Sequence, residues 1–215
     1  MHEIREAVIL AAGLGTRLRG VSEGLPKFLV KILDKPLVTY PLRTLYLVGI
    51  KRFAIVVPKG WYNELNNIVN SLGLDIDVCI VENSSIEREN GYSLLISSEC
   101  VKSKYFILSM SDHLYTPDIP LTLLKFHEYT YDVDIIVGAD SNPKYIDINE
   151  ATKIYASNTG RVIKVGKGIS RFNYVDIGVF IMSSKVYDVV QELVLERKVI
   201  KLADVVNEAV IKGLN

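Results

Sequence analysis

The sequence predicts an α/β fold with a mixed, mostly parallel central sheet and helices on both faces. Three observations carry this: short Val- and Ile-rich runs recur, longer stretches with a 3.6-residue apolar spacing separate them, and turn residues bound both. That alternation is the pattern of successive βαβ units. The chain has 215 residues, 49% of them hydrophobic, enough to bury a full core as a single domain spanning 1–215.

In chain order, strands are expected at residues 7–11, 52–57, 77–81, 105–109, 134–138 and 175–182. Helices are expected between them at 37–48, 62–72, 92–102, 120–131 and 185–197. The alternation breaks after Gly138. There, residues 152–157 and 161–164 flank Asn158-Thr159-Gly160, which reads as a β-hairpin about a turn and makes the sheet mixed. Residues 202–215 read as an amphipathic helix with a stop signal at Lys212-Gly213, an ending that suits one domain of a longer fusion protein. There is no internal repeat, low-complexity tract or linker.

Lysine plus arginine and aspartate plus glutamate balance at 25 each, so no global field draws the chain to nucleic acid or an anionic membrane. Any phosphate site must be local. No apolar run approaches the roughly 18 residues that span a bilayer, so a cytoplasmic protein with no membrane contact of its own is expected. Cys79 and Cys100 have no partner at metal-ligand spacing, which suits a reducing cytosol. One glutamine, Gln191, in the whole chain points to a thermophilic source.

Ligands of an open α/β sheet bind at the carboxyl ends of its strands, so the loops that follow strands are the places to inspect. The first runs Leu10-Ala11-Ala12-Gly13-Leu14-Gly15-Thr16-Arg17-Leu18 and continues to Pro26-Lys27. Glycines let the backbone approach phosphate and offer its N–H groups, Arg17 supplies a forked cation, and Lys27 adds a second positive charge. The dinucleotide fingerprint fails at Leu18, where its third glycine belongs, and the Walker spacing is absent. A dehydrogenase with Asp34 on a ribose is therefore the weaker reading.

Leu10 to Leu18 followed by Pro26-Lys27 resembles the signature of the sugar-phosphate and alditol-phosphate nucleotidyltransferases. The resemblance implies a Rossmann-like nucleotidyltransferase fold in which this loop and Arg17 hold a triphosphate and Lys27 orients the α-phosphate. Glu82-Asn83, with Asn90, Gly91 and Ser93 at the start of a helix, fall where family members read the nucleobase; as residues alone, Asn90 and Ser93 also suit helix caps. Asp112 closes an apolar strand and matches the family's metal aspartate, a hard ligand for Mg²⁺, while His113 reads as a neighbour that shapes the loop. Asp176 interrupts another apolar strand. A buried aspartate is costly unless paired or bound to metal; by resemblance it completes the metal site, and a strand-end cap is the alternative.

Lys164 and Lys167 beside Gly166 and Gly168 are candidates for the acceptor's phosphate, with ordinary solvated lysines as the alternative. Glu150 to Lys153, Val165 to Gly168 and Val175 to Gly178 resemble the CTP:inositol-1-phosphate cytidylyltransferases over essentially the whole chain. That implies transfer of CMP from CTP to inositol 1-phosphate, giving CDP-inositol and pyrophosphate, with Mg²⁺. In some members the domain is fused to a membrane CDP-alcohol phosphotransferase, which implies tethering to the cytoplasmic face; a homodimer stays open. Phosphocholine cytidylyltransferases compete, with Tyr145, Tyr155, Phe172 and Tyr174 available to hold a quaternary ammonium. Sugar-1-phosphate nucleotidyltransferases and a catalytically silent nucleotide sensor are the remaining alternatives.

Overall fold

The computed structural model describes residues 4–13, 24–130, 132–144 and 146–215. Strand β1 (Glu6–Leu10) is buried along its whole length. Side chains alternate across a strand, and here Ala7 and Ile9 enter one apolar cluster while Val8 and Leu10 enter a second. A strand apolar from Ala7 to Leu10 is thus covered on both faces, as a parallel sheet requires.

Parallel to β1 lie β4 (Arg52–Pro58) and β6 (Tyr105–Met110), with β5 (Asp77–Asn83) beyond β4. The first cluster packs under α1 (Thr39–Leu47), α2 (Tyr62–Ser71) and α4 (Asp118–Tyr129), through Leu42, Leu45, Leu65, Leu123 and Leu124. The second packs under α3 (Glu89–Ser97), α5 (Val186–Glu196) and α6 (Leu202–Ile211), through Leu94, Val190, Leu193 and Val205. Each fully buried side chain of this size contributes about 1.5–3 kcal/mol.

The antiparallel half begins at β10 (Tyr174–Ser183), which pairs β6 on one side and β7 (Ile135–Asp140) on the other. The expected hairpin is β8 (Lys153–Ala156) with β9 (Val162–Gly166), joined to the start of β10 through β8. The mixed central sheet with helices on both faces is as expected. The terminal helix is shorter than 202–215: it ends at Ile211, Gly213 takes φ +78°, and the Asn215 carbonyl accepts N–H from Asp134 (2.6 Å) and Ile135 (2.9 Å) at the start of β7. A two-residue hairpin, β2 (Lys31–Ile32) with β3 (Lys35–Pro36), was not anticipated, because its turn residues Leu33 and Asp34 adopt φ +48° and +61° without the usual glycine. Asp34 lies in that turn and not at the end of a second sheet strand, which removes the ribose ligand of the dehydrogenase reading.

Cys79 and Cys100, read from the sequence only as lacking a partner at metal-ligand spacing, form a disulfide, with Cα atoms 5.8 Å apart and a sequence separation of 21. It ties the edge strand β5 to the segment after α3, a proximity that only parallel β5–β4 pairing creates. The expected reducing compartment loses its support with it, although disulfides also persist inside hyperthermophiles. Nearby, buried Glu6 accepts N–H from Lys102 (3.0 Å) and Ser103 (2.7 Å) and pairs with Arg52 at 3.3 Å, fixing the same segment from the other side. No helix among the described residues is long and apolar enough to cross a membrane.

Replacing both cysteines by serine is expected to lower the unfolding free energy by about 3 kcal/mol, the loop-closure value for a cross-link of this span. Urea titration of the non-reduced protein and of the variant measures the difference; coincident midpoints would show that the cross-link contributes nothing.

Candidate active site

The carboxyl ends of β4, β1 and β6 meet at one place. The Ala11 N–H donates to Val56 O at 2.8 Å and the Ser111 N–H to Leu10 O at 3.1 Å, so the chain leaves β1 and β6 side by side. Leu10, Ala11 and Ala12 are buried, and Gly13 is exposed with open space where a Cβ would be. Gly15, Thr16 and Arg17 lie outside the described residues.

Lys27 is delivered to this place by its neighbours. Pro26 holds φ −57° ahead of a single 3₁₀ turn, Lys27–Leu29, and Phe28 inside that turn is completely buried in the first apolar cluster. A fully buried Phe between half-buried neighbours acts as an anchor, and Lys27 Nζ lands on Asp112 Oδ2. The other oxygen, Oδ1, lies 2.9 Å from His113 Nδ1. Burial pushes the Asp112 carboxyl up, but His113 and Lys27 outweigh it and hold the group well below the usual carboxylate range. Asp112 is therefore an anion at neutral pH. The loop is braced behind it by Tyr115, whose hydroxyl is 2.7 Å from Ser109 Oγ and whose carbonyl accepts from Thr44 Oγ1 at 3.3 Å.

Asp176 arrives from β10. Its N–H donates to Thr152 O at 2.9 Å and its Oδ1 accepts the Gly178 N–H at 2.7 Å. Between Asp176 and Phe180 the pairing with β7 slips: Asp176 faces Ala139, yet Phe180 faces Val137. Four steps on β10 thus match two on β7, and Gly178 absorbs the bulge at φ +74°. Burial pushes the Asp176 carboxyl up from its ordinary value, against the Gly178 N–H and the His113 ring. The two carboxylates are therefore shifted in opposite directions, one by its partners His113 and Lys27 and one by burial.

Asp112 and Asp176 are hard oxygen donors, and a buried carboxylate that lacks a full set of partners suits a divalent cation. Among the described residues no group of three or more His, Cys, Asp or Glu side chains is arranged to hold a metal. These two would share the ion with oxygens of a phosphate ligand and water, as a nucleotide-bound Mg²⁺ does.

The base-reading candidates are committed to the fold. Glu82 Oε1 accepts the Gly60 N–H at 2.6 Å, in the turn after β4. Asn83 is buried; its Nδ2 donates to Ser93 Oγ at 3.0 Å and its Oδ1 accepts the Ser85 N–H at 2.7 Å. Asn90 Oδ1 accepts the Leu202 N–H at 2.7 Å, capping the start of α6. Gly91 donates to Ile200 O at 2.9 Å, and a Cβ there would stand 2.7 Å from the same oxygen, so this glycine lets α3 pack on the Ile200 backbone. None of these long-range partners shows in local sequence. On the hairpin, Lys164 is exposed on β9, and Lys167 pairs with Glu150 at 3.2 Å while its carbonyl accepts Lys153 Nζ at 2.9 Å. Two features escaped the sequence reading: the Phe28 anchor and the contact of His113 with Gly178.

Residues 6–213 match the family described as nucleotidyl transferase. The bifunctional IPC transferase and DIPP synthase of Aquifex aeolicus is 30% identical over 206 residues, which are 96% of this chain and 45% of that protein. The protein of the same description from Archaeoglobus fulgidus is 34% identical over 209 residues, 96% of this chain and 38% of its own length. The chain thus spans less than half the length of these relatives. The structure of the inositol-1-phosphate CTP transferase from T. maritima superposes with a TM-score of 0.89 at 32% identity, covering 100% of this chain and 84% of that one. A UDP-glucose pyrophosphorylase bound to UDP-glucose, 18% identical with a TM-score of 0.78, shares the fold.

Two outcomes are expected. Asn90→Ala should cost about 1 kcal/mol of stability, the value of a lost helix cap, with nucleotide KM nearly unchanged; a large KM change at unaltered stability would return Asn90 to base recognition. A carboxyl whose pKa is raised by folding holds its proton longer in the folded than in the unfolded protein, so stability falls as pH rises through that raised value. Asp176→Asn should therefore melt above the wild type in EDTA at pH values above it, the gap closing as pH falls through it. Melts across a pH series measure this, and identical curves would show that the buried charge carries no penalty.

Proposed function

The chain belongs to the nucleotidyl transferase family, and within it we propose that it transfers CMP from CTP to inositol 1-phosphate, releasing pyrophosphate. The observation that carries a transfer reaction is the meeting of Lys27, Asp112 and His113 at the carboxyl end of β6, with Asp176 arriving on β10. The choice of substrates rests on the likeness to the T. maritima inositol-1-phosphate CTP transferase.

An oxygen of the inositol phosphate attacks the α-phosphorus of CTP; the new P–O bond forms as the bond to the β-phosphate oxygen breaks, and pyrophosphate leaves in line. The nucleophile is already an anion, so positioning and charge neutralisation do most of the work and no protein base is needed. Mg²⁺, when bound, would neutralise phosphate oxygens between Asp112 and Asp176. Lys27 exchanges its ion pair with Asp112 for the α-phosphate, which keeps a cation beside the reacting centre throughout. Arg17 and the backbone of residues 10–16 hold the β- and γ-phosphates, in keeping with the loop motif, and Lys164 or Lys167 receives the acceptor's phosphate.

An acceptor without a quaternary ammonium is favoured over phosphocholine by the rings on and beside the hairpin. The Tyr155 and Phe172 faces already carry the chain's own cations, Arg171 at 4.6 Å and Lys153 at 5.6 Å, which repel a quaternary ammonium.

Pyrophosphate release is expected with CTP and inositol 1-phosphate, and not with phosphocholine or glucose 1-phosphate. Lys27→Ala and Asp112→Asn should each lower turnover roughly 10²- to 10³-fold or more, the scale for losing one preorganised charge partner, with folding retained. Release with a different pair only would move the substrates, near-normal turnover in both variants would overturn the assigned roles, and no release with any pair would favour a silent sensor.

A further inference from the structure

We propose that His113 is a positioning residue that sets how the Asp112 and Asp176 carboxylates face each other, with Gly178 as its seat, and thereby sets the affinity for a divalent cation. The proposal rests on the reading of these two aspartates as joint holders of that cation.

Direct pairing between β6 and β10 does not fix their separation. Hydrogen-bonded pairing between β6 and β10 runs as far as Ser109↔Val179 and stops there. Asp112 and Asp176 each stand three residues beyond that last pair, one on the loop leaving β6 and the other upstream on β10 across the bulge. At such a splayed end the carboxylates take whatever spacing their side-chain supports impose.

His113 is the support that touches both sides. Its Nδ1 lies 2.9 Å from Asp112 Oδ1. Its ring lies on the Gly178 Cα: a Cβ built there would stand 2.7 Å from Cδ2, 2.8 Å from Cγ and 2.9 Å from Nε2, so three ring atoms occupy the volume of the missing side chain. Gly178 in turn donates its N–H to Asp176 Oδ1 at 2.7 Å. The contacts Asp112–His113–Gly178–Asp176 form one unbroken link between the two strands. Gly178 is needed twice over, for its φ of +74° and for the room it leaves the ring. Since Lys27 holds Oδ2, the contact at Oδ1 decides the rotation of the Asp112 carboxylate. Partners that orient a ligating carboxylate change metal affinity about 10- to 100-fold when removed.

The test is Mn²⁺ binding to the whole chain without substrates, read from the electron paramagnetic resonance signal of free Mn²⁺, with a thermal melt of each variant. His113→Ala is expected to bind Mn²⁺ about 10- to 100-fold more weakly with its fold intact. His113→Asn, whose amide nitrogen can replace Nδ1 on Asp112, should recover part of the loss. Gly178→Ala should weaken binding in the wild-type background, and much less in the His113→Ala background, where no ring remains to be displaced. Wild-type affinity in folded His113→Ala overturns the proposal, as does an equal Gly178→Ala penalty in both backgrounds. If Gly178→Ala does not fold, the His113→Ala and His113→Asn pair decides alone. Asp112→Asn and Asp176→Asn separate the two levels. If both lose Mn²⁺ while His113→Ala keeps it, only the positioning role fails; if neither loses it, the metal reading beneath it fails.

Discussion

The two-sided burial of β1 is the constraint on which the rest of the structure depends. Four of its five residues, Ala7 to Leu10, are shared between two cores, so helices must cover both faces of the sheet, and parallel neighbours with crossover helices meet that demand. Parallel strands bring their carboxyl ends to one edge. The loop at residues 11–13, the end of β4 and the Ser111–Asp112 turn are neighbours for that reason, and the hydrogen bonds from Ala11 to Val56 and from Ser111 to Leu10 record it.

The site at that edge is an electrostatic arrangement built on unequal carboxylates. Asp112 is held as an anion by Lys27 and His113, while Asp176 carries the cost of burial with the Gly178 N–H as its main compensation. Like charges brought together in a dry place repel unless a cation joins them. Lys27, in its contact with Asp112, is a cation that already stands at this place.

Much of this was legible in the chain. Runs such as Ala7 to Ala11 and Phe106 to Met110 are short, apolar and bounded, so strand positions followed from local pattern, and Asn158-Thr159-Gly160 announced its hairpin. The loop from Leu10 to Leu18 with Pro26-Lys27, and the isolated Asp112 and Asp176, stood out because polar or glycine residues break apolar strands there. The β2–β3 hairpin was hidden, since Leu33 and Asp34 are poor predictors of a turn with positive φ. Cys79–Cys100, Asn90 on the α6 cap and Gly91 against Ile200 were hidden for a different reason: each partner is supplied by a distant segment.

By itself, then, the sequence determined the alternation of elements, the glycine-rich segment after β1 and the two acidic positions, because these depend on residue type and on spacing within a few residues. Only the tertiary structure decided which polar groups are spoken for and which face the site. Asn83 and Ser93 satisfy each other, Phe28 anchors Lys27 onto Asp112, and His113 fills the space left by Gly178 on another strand. The physical reason is that hydrogen bonding and close packing are pairwise and short-ranged. Which pairs form depends on strand order and register, and these emerge only when the whole sheet has closed over its two cores.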